Sequence, residues 1–118
     1  MANKESIIQK WVRDRIALEF GHSAVYLKYP AGQYSSRGVS DLVYCIHSLY
    51  VAIEVKTETG KLTALQARFS NQVIEAGGLA YVIYGKDESK LKEIIHDVHA
   101  RRNSRTKNFE EQGHLQKD

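Results

Sequence analysis

Asp41-Leu42-Val43-Tyr44-Cys45-Ile46-His47-Ser48-Leu49-Tyr50-Val51-Ala52-Ile53-Glu54-Val55-Lys56 is the stretch that decides the fold. Two runs of branched and aromatic residues, 41–46 and 49–56, leave only His47 and Ser48 between them. Such runs read as β-strands, and a two-residue gap reads as an antiparallel hairpin. His-Ser is not a dipeptide that such turns favour, so the turn itself lends the register little support. Side chains alternate along a strand. Val51, Ile53 and Val55 therefore share one face and can pack against a helix, while Tyr50, Ala52, Glu54 and Lys56 point the other way.

Glu54 and Lys56 are then neighbours on one surface, ~7 Å apart at their Cα atoms by the strand rise. With Ile46 opposite Leu49, the pairing continues until Asp41 faces Glu54, with Cβ atoms ~4.5–5.5 Å apart on the same face. Like charges so placed repel, and something positive has to offset them. Lys56 supplies one charge. A divalent ion supplies two, and hard carboxylate oxygens suit Mg²⁺ or Mn²⁺. Such an ion lowers the pKa of a bound water and neutralises charge on a phosphoryl oxygen. A lysine positions that water or stabilises the extra charge of the transition state. Those are the needs of phosphodiester hydrolysis. The plain alternative is that Asp41 ends a strand and Glu54 and Lys56 form an exposed ion pair on an ordinary sheet. Acid-x-Lys triplets are common; it is the Asp41–Glu54 register and the glycine-containing stretch before Asp41 that favour a site.

Outward from the hairpin, Ile8, Trp11, Val12, Ile16 and Phe20 recur at helical spacing, which predicts an amphipathic helix over 4–20 with Asn3 as N-cap and Gly21 as its stop,. Residues 24–29 read as a strand, ended by Pro30 and Gly32,. Residues 32–40 offer almost nothing to bury and read as a mobile loop. Beyond Lys56, 57–61 is a polar connector pivoting on Gly60. A second helix is expected over 63–76, with Leu65, Phe69 and Val73 as its stripe and Gly77-Gly78 as its end,. A fourth strand is expected over 79–84, and a third helix over 88–102 with Leu91, Ile94, Ile95 and Val98 facing inward. The order predicts an α/β layer on a small mixed sheet flanked by helices. The expected organisation is one domain, 1–102, followed by a flexible tail, 103–118, whose large apolar residues are only Phe109 and Leu115,.

The chain has 118 residues, 42% hydrophobic and 26% charged, enough to bury a core without a metal or disulfide staple,. No apolar run approaches the ~18 residues that span a membrane, and the first five residues are polar, without a signal-peptide stretch,. Cys45 is the only cysteine, which excludes an internal disulfide framework and a multi-cysteine zinc cage,. Seventeen basic against fourteen acidic residues leave +3, a tilt that permits a polyanionic partner,.

Gly38-Val39-Ser40-Asp41, then Ile53-Glu54-Val55-Lys56, then Gly60-Lys61-Leu62-Thr63-Ala64-Leu65-Gln66 resembles the PD-(D/E)xK nuclease superfamily, and more narrowly its VRR-NUC family. The similarity runs over about 4–84. It implies a restriction-endonuclease-like αβββαβ core, here with an extra C-terminal helix. It also implies a Mg²⁺- or Mn²⁺-dependent DNA endonuclease with one or two ions per site, selective for branched DNA such as flaps or Holliday junctions. Asp41 and Glu54 match the metal-binding acids, the backbone carbonyl of Val55 a further ligand, and Lys56 the catalytic lysine. Glu5 matches the first-helix glutamate near the metal, and Gln66 a glutamine beside the active site. Ser40 stands where the family usually has proline, which would stiffen the approach to Asp41. A stand-alone domain this short resembles bacteriophage members. The implied setting is the bacterial or phage-infected host cytoplasm, with a homodimer presenting two sites to a symmetric junction.

Beside these roles stand plainer ones. Glu5 is also a first-turn acid favoured by the helix dipole, and Gln66 a near-buried amide that needs some partner. His96 and His99, three apart on the last helix, read as solvent-facing. Cys45 and Trp11 read as core. The loop residues Gln33, Tyr34 and Arg37 suit a nucleic-acid backbone, Tyr34 as a stacking surface and Arg37 on a phosphate. Lys28, Lys61 and Arg68 extend that basic surface, and Arg101, Arg102, Arg105 and Lys107 form a basic cluster in the tail. A non-catalytic DNA-binding module on the same fold is the rival reading; the paired carboxylates, ill placed against a phosphate backbone, weigh against it.

Overall fold

A computed structural model describes residues 4–27 and 38–116, with side chains as far as residue 104. In chain order the elements are α1 (Lys4–Phe20), a 3₁₀ turn (Gly21–Ser23), β1 (Ala24–Tyr26), β2 (Leu42–Ile46), β3 (Leu49–Lys56), α2 (Ala64–Glu75), β4 (Leu79–Tyr84) and α3 (Glu88–Gln116). The strands form one sheet in the order β1-β2-β3-β4. β1, β2 and β3 are antiparallel, whereas β4 runs parallel to β3. A parallel pair needs a crossover, and α2 provides it. This is the mixed-sheet α/β fold expected from the sequence.

The hairpin register is Ile46 with Leu49 through to Leu42 with Ile53. His47 and Ser48 have φ of 50° and 68°, both in the left-handed region that a tight two-residue hairpin requires. Neither residue prefers it. The strands on either side impose it, and the His47 N–H is held by the Ser23 carbonyl at 3.0 Å.

β3 is the central element, covered on both faces. Val51, Ile53 and Val55 pack with Ile8, Val12 and Ile16 of α1 and with Leu91, Ile94 and Val98 of α3. On the other face Ala52 meets Val43 and Val73, with Val39, Tyr50, Phe69 and Ala80 around them, beneath α2. Each fully buried branched side chain contributes on the order of 1.5–3 kcal/mol, so the apolar run of β3 fixes where its polar end, Glu54 and Lys56, must lie. Trp11 and Cys45 are half-buried, less enclosed than the sequence reading placed them.

β1 ends at Tyr26 rather than continuing to 29, of which 28 and 29 lie outside the described residues, and two helices also differ from expectation. Leu65 is 48% exposed rather than part of the α2 stripe, because capping at Thr63 sets a helical phase that turns Gln66, Phe69 and Val73 toward the sheet. α3 continues past Arg102 to Gln116. Half of the extra residues are good helix formers and none is proline,, and a helix needs no burial to extend once nucleated.

Gly38 closes the approach to β2. Its φ is +84°, and a Cβ built on it would sit 2.5 Å from the Leu65 carbonyl oxygen at the start of α2. Gly38→Ala therefore combines left-handed strain with a backbone clash. It is expected to destabilise the fold by about 1–3 kcal/mol, measured by chemical denaturation against wild type.

Candidate active site at the ends of strands β2 and β3

One step beyond the last β2–β3 pair, Leu42 with Ile53, Asp41 comes to face Glu54. The Asp41 carboxylate reaches across: its Oδ2 accepts the Val55 backbone N–H at 3.0 Å. It takes the place of a strand carbonyl just before β2 begins, so the Asp41 side chain is anchored to β3.

Glu54 is 1% exposed. Its Oε1 accepts a hydrogen bond from Gln66 Nε2 at 2.8 Å. Its Oε2 is buried with no hydrogen-bond partner among the described residues. Burial pushes the Glu54 carboxyl up, the negative charge of Asp41 pushes it further, and Lys56 only partly offsets them, leaving it at about 8. Removing a carboxylate from water is costly unless it is paired, and the protein supplies too little positive charge to hold this one ionised.

Gln66 is fixed by the start of α2. Its backbone N–H donates to Thr63 Oγ1 at 3.1 Å, and its Oε1 accepts the Thr63 N–H at 2.9 Å. This reciprocal capping box removes the freedom of the amide to flip. With Oε1 committed to Thr63, Nε2 must point to Glu54 as the donor. One residue thus starts the helix and orients the buried acid.

Lys56 is half-buried at the end of β3. The connector folds back beside it: Gly60 N–H donates to the Thr57 carbonyl at 3.1 Å, and a Cβ on Gly60 would lie 3.2 Å from the Lys56 Cβ. Ser40 is buried beside Asp41, and its Oγ lacks a partner among the described residues.

The structure brings Asp41, Glu54, the Val55 backbone, Lys56 and Gln66 to one end of the sheet. Glu5, on the first turn of α1, is half-buried and makes no hydrogen bond or ion pair to them among the described residues. Lys61 and Arg68 are exposed. Lys28, Gln33, Tyr34 and Arg37 lie outside the described residues, as does the Asn3 cap. His96 is exposed beside Asp97, whereas His99 is held by Glu19 at 2.9 Å and packs on Phe20. Among the described residues no cluster of three or more His, Cys, Asp or Glu side chains could hold a metal. The donor set at the sheet end is two carboxylates plus main chain. The orphaned Glu54 Oε2, facing an acid, fits a hard divalent ion there.

The topology is a mixed four-stranded sheet flanked by helices, with an acid pair and a lysine gathered at one end. No protein-family model matches the chain, and no curated protein matches its sequence. Among solved structures the chain is similar to a VRR_NUC domain, with a TM-score of 0.63 and 23% identity over 80% of this chain and 97% of that one. The chain shares the fold of that domain. No helix among the described residues is long and apolar enough to cross a membrane.

Proposed function

We propose that this protein is a divalent-metal-dependent DNA endonuclease of the VRR-NUC kind, with Asp41, Glu54, Lys56 and Gln66 at its centre. The observation that carries the reading is the buried Glu54 oxygen without a partner, set against a second carboxylate. A merely structural acid pair would be a standing cost to the fold; a cation site explains it. Asp41 and Glu54 would hold Mg²⁺ or Mn²⁺, with the Val55 carbonyl as a further ligand by resemblance. When bound, the ion supplies charge to the phosphoryl oxygens and makes a nearby water more acidic. Asp41 is held in place by the Val55 N–H, and Glu54 by Gln66. Lys56 offers an ammonium group beside them to orient the attacking water or to stabilise charge as it develops. Glu5 is proposed as a further acid at the α1 side of the site. The loop residues Lys28, Gln33, Tyr34 and Arg37, with Lys61 and Arg68, would grip the DNA backbone.

Branched DNA is the substrate favoured by the resemblance, and a homodimer would present two such sites to a symmetric junction. The test is a cleavage panel of linear, nicked, flap and four-way DNA with Mg²⁺, Mn²⁺ or EDTA, run for wild type and Asp41→Ala. Cleavage of branched substrates that needs metal and disappears in Asp41→Ala is expected. Binding without metal-dependent strand breakage would instead favour the non-catalytic DNA-binding module.

A further inference from the structure

We infer that Lys4 and Lys86 form a phosphate-holding cleft for the substrate strand, on the α1 side of the sheet just past the end of β3, where Thr57 follows Lys56. The inference rests on the nuclease reading above and extends it to two residues that no motif marks. A cleft of about 280 Å³ is lined by Lys4, Ile7, Ile8, Thr57, Glu58 and Lys86. Three separate segments meet there: the first turns of α1, the residues just after β3, and the turn between β4 and α3.

The cleft is tied to the end of the catalytic strand. Thr57 follows Lys56 directly. The Gly85 N–H donates to the Lys56 carbonyl at 2.7 Å, so Lys86 is one residue from a backbone contact with Lys56. Gly85 makes the close turn possible: its φ is +64°, and a Cβ there would come within 2.7 Å of Glu58 Oε1.

Among the described residues some cations are neutralised and others, including Lys4 and Lys86, are not. Lys10, Arg15 and Lys90 are each paired with a carboxylate, at 2.7, 2.6 and 3.1 Å. Lys4 and Lys86 are exposed and have no ion pair or hydrogen bond among the described residues. Two ammonium groups without an ion pair therefore line one cleft, in which Glu58 is the only carboxylate among the described residues. Ile7, 47% exposed, adds an apolar wall. Cations over an apolar wall suit a phosphodiester with its deoxyribose, and contacts of this kind position a strand without reading its bases.

The test uses the full chain with Lys86→Ala, Lys4→Ala, the double variant and Lys86→Arg. Binding to four-way and duplex DNA is measured by anisotropy in EDTA over a salt series, alongside steady-state cleavage with Mg²⁺. Each alanine variant is expected to lower the slope of log affinity against log salt by about 1. The loss in cleavage should fall on KM rather than kcat, and Lys86→Arg should restore the slope. Slopes equal to wild type in both alanine variants, with wild-type binding and cutting intact, would overturn the cleft alone. A wild type that neither binds nor cuts DNA would overturn the nuclease reading and the cleft together.

Discussion

Glu54→Gln is expected to abolish cleavage and, in EDTA at alkaline pH, to make the protein more stable. Glu54 titrates at about 8 in the fold, against an ordinary value of 4.5. Between those values the folded chain holds a proton that the unfolded chain has released. The stability conferred by neutral Glu54 is therefore present at low pH and is lost as pH rises through the window. Glutamine never ionises, keeps an oxygen to accept from Gln66, and brings an amide that can donate toward Asp41. At about 1.4 kcal/mol per pKa unit, the variant should gain a few kcal/mol over wild type at pH 9. That corresponds to roughly 10 °C in thermal midpoint for a domain of this size, and the gain should shrink towards nothing near pH 4.5. Adding Mg²⁺ should raise the wild-type midpoint and leave the variant unmoved. Equal pH profiles for the two proteins would show that Glu54 does not ionise under strain, and the cation site would lose its main support.

Lys56→Ala should remove most of the chemistry while leaving the substrate bound. The lysine is half-buried at the end of β3, and its charge partly offsets that of Glu54. A positioned cation or donor of this kind contributes on the order of 10²–10³ in kcat, so single-turnover cleavage with Mg²⁺ should slow by about that factor. Affinity for DNA in EDTA should change by no more than the few-fold that loss of one ammonium–phosphate contact gives, far less than the loss in rate. Stability should fall slightly at pH 8–9, since Glu54 loses its nearest positive neighbour. An undiminished single-turnover rate would remove Lys56 from the mechanism.

The central hairpin was legible because its two strands are strongly patterned and separated by only two residues. The register through Ile46 and Leu49 followed, and with it the opposition of Asp41 and Glu54. The helical stripes of α1 and α3 were equally plain, because Ile8, Val12 and Ile16, and Leu91, Ile94 and Val98, all face the same side of β3. The phase of α2 was harder to read. Leu65 has the apolarity of a core residue, but the capping box at Thr63 turned Gln66 inward instead. The end of α3 is not legible from its apolar stripe, because the helix continues to Gln116 beyond the last inward-facing residue, Val98.

The sequence by itself determined the mixed α/β layer and which acids oppose each other, since both follow from local periodicity and a short turn. Only the tertiary structure decided the environment of those acids. It buried Glu54 with one oxygen unpaired, committed the Gln66 amide through Thr63, and gave Asp41 a strand N–H to hold. It also set Lys4 beside Lys86, eighty-two positions apart by their numbers. Burial, orientation and long-range proximity depend on how the helices close over β3, and no spacing along the chain encodes that closure.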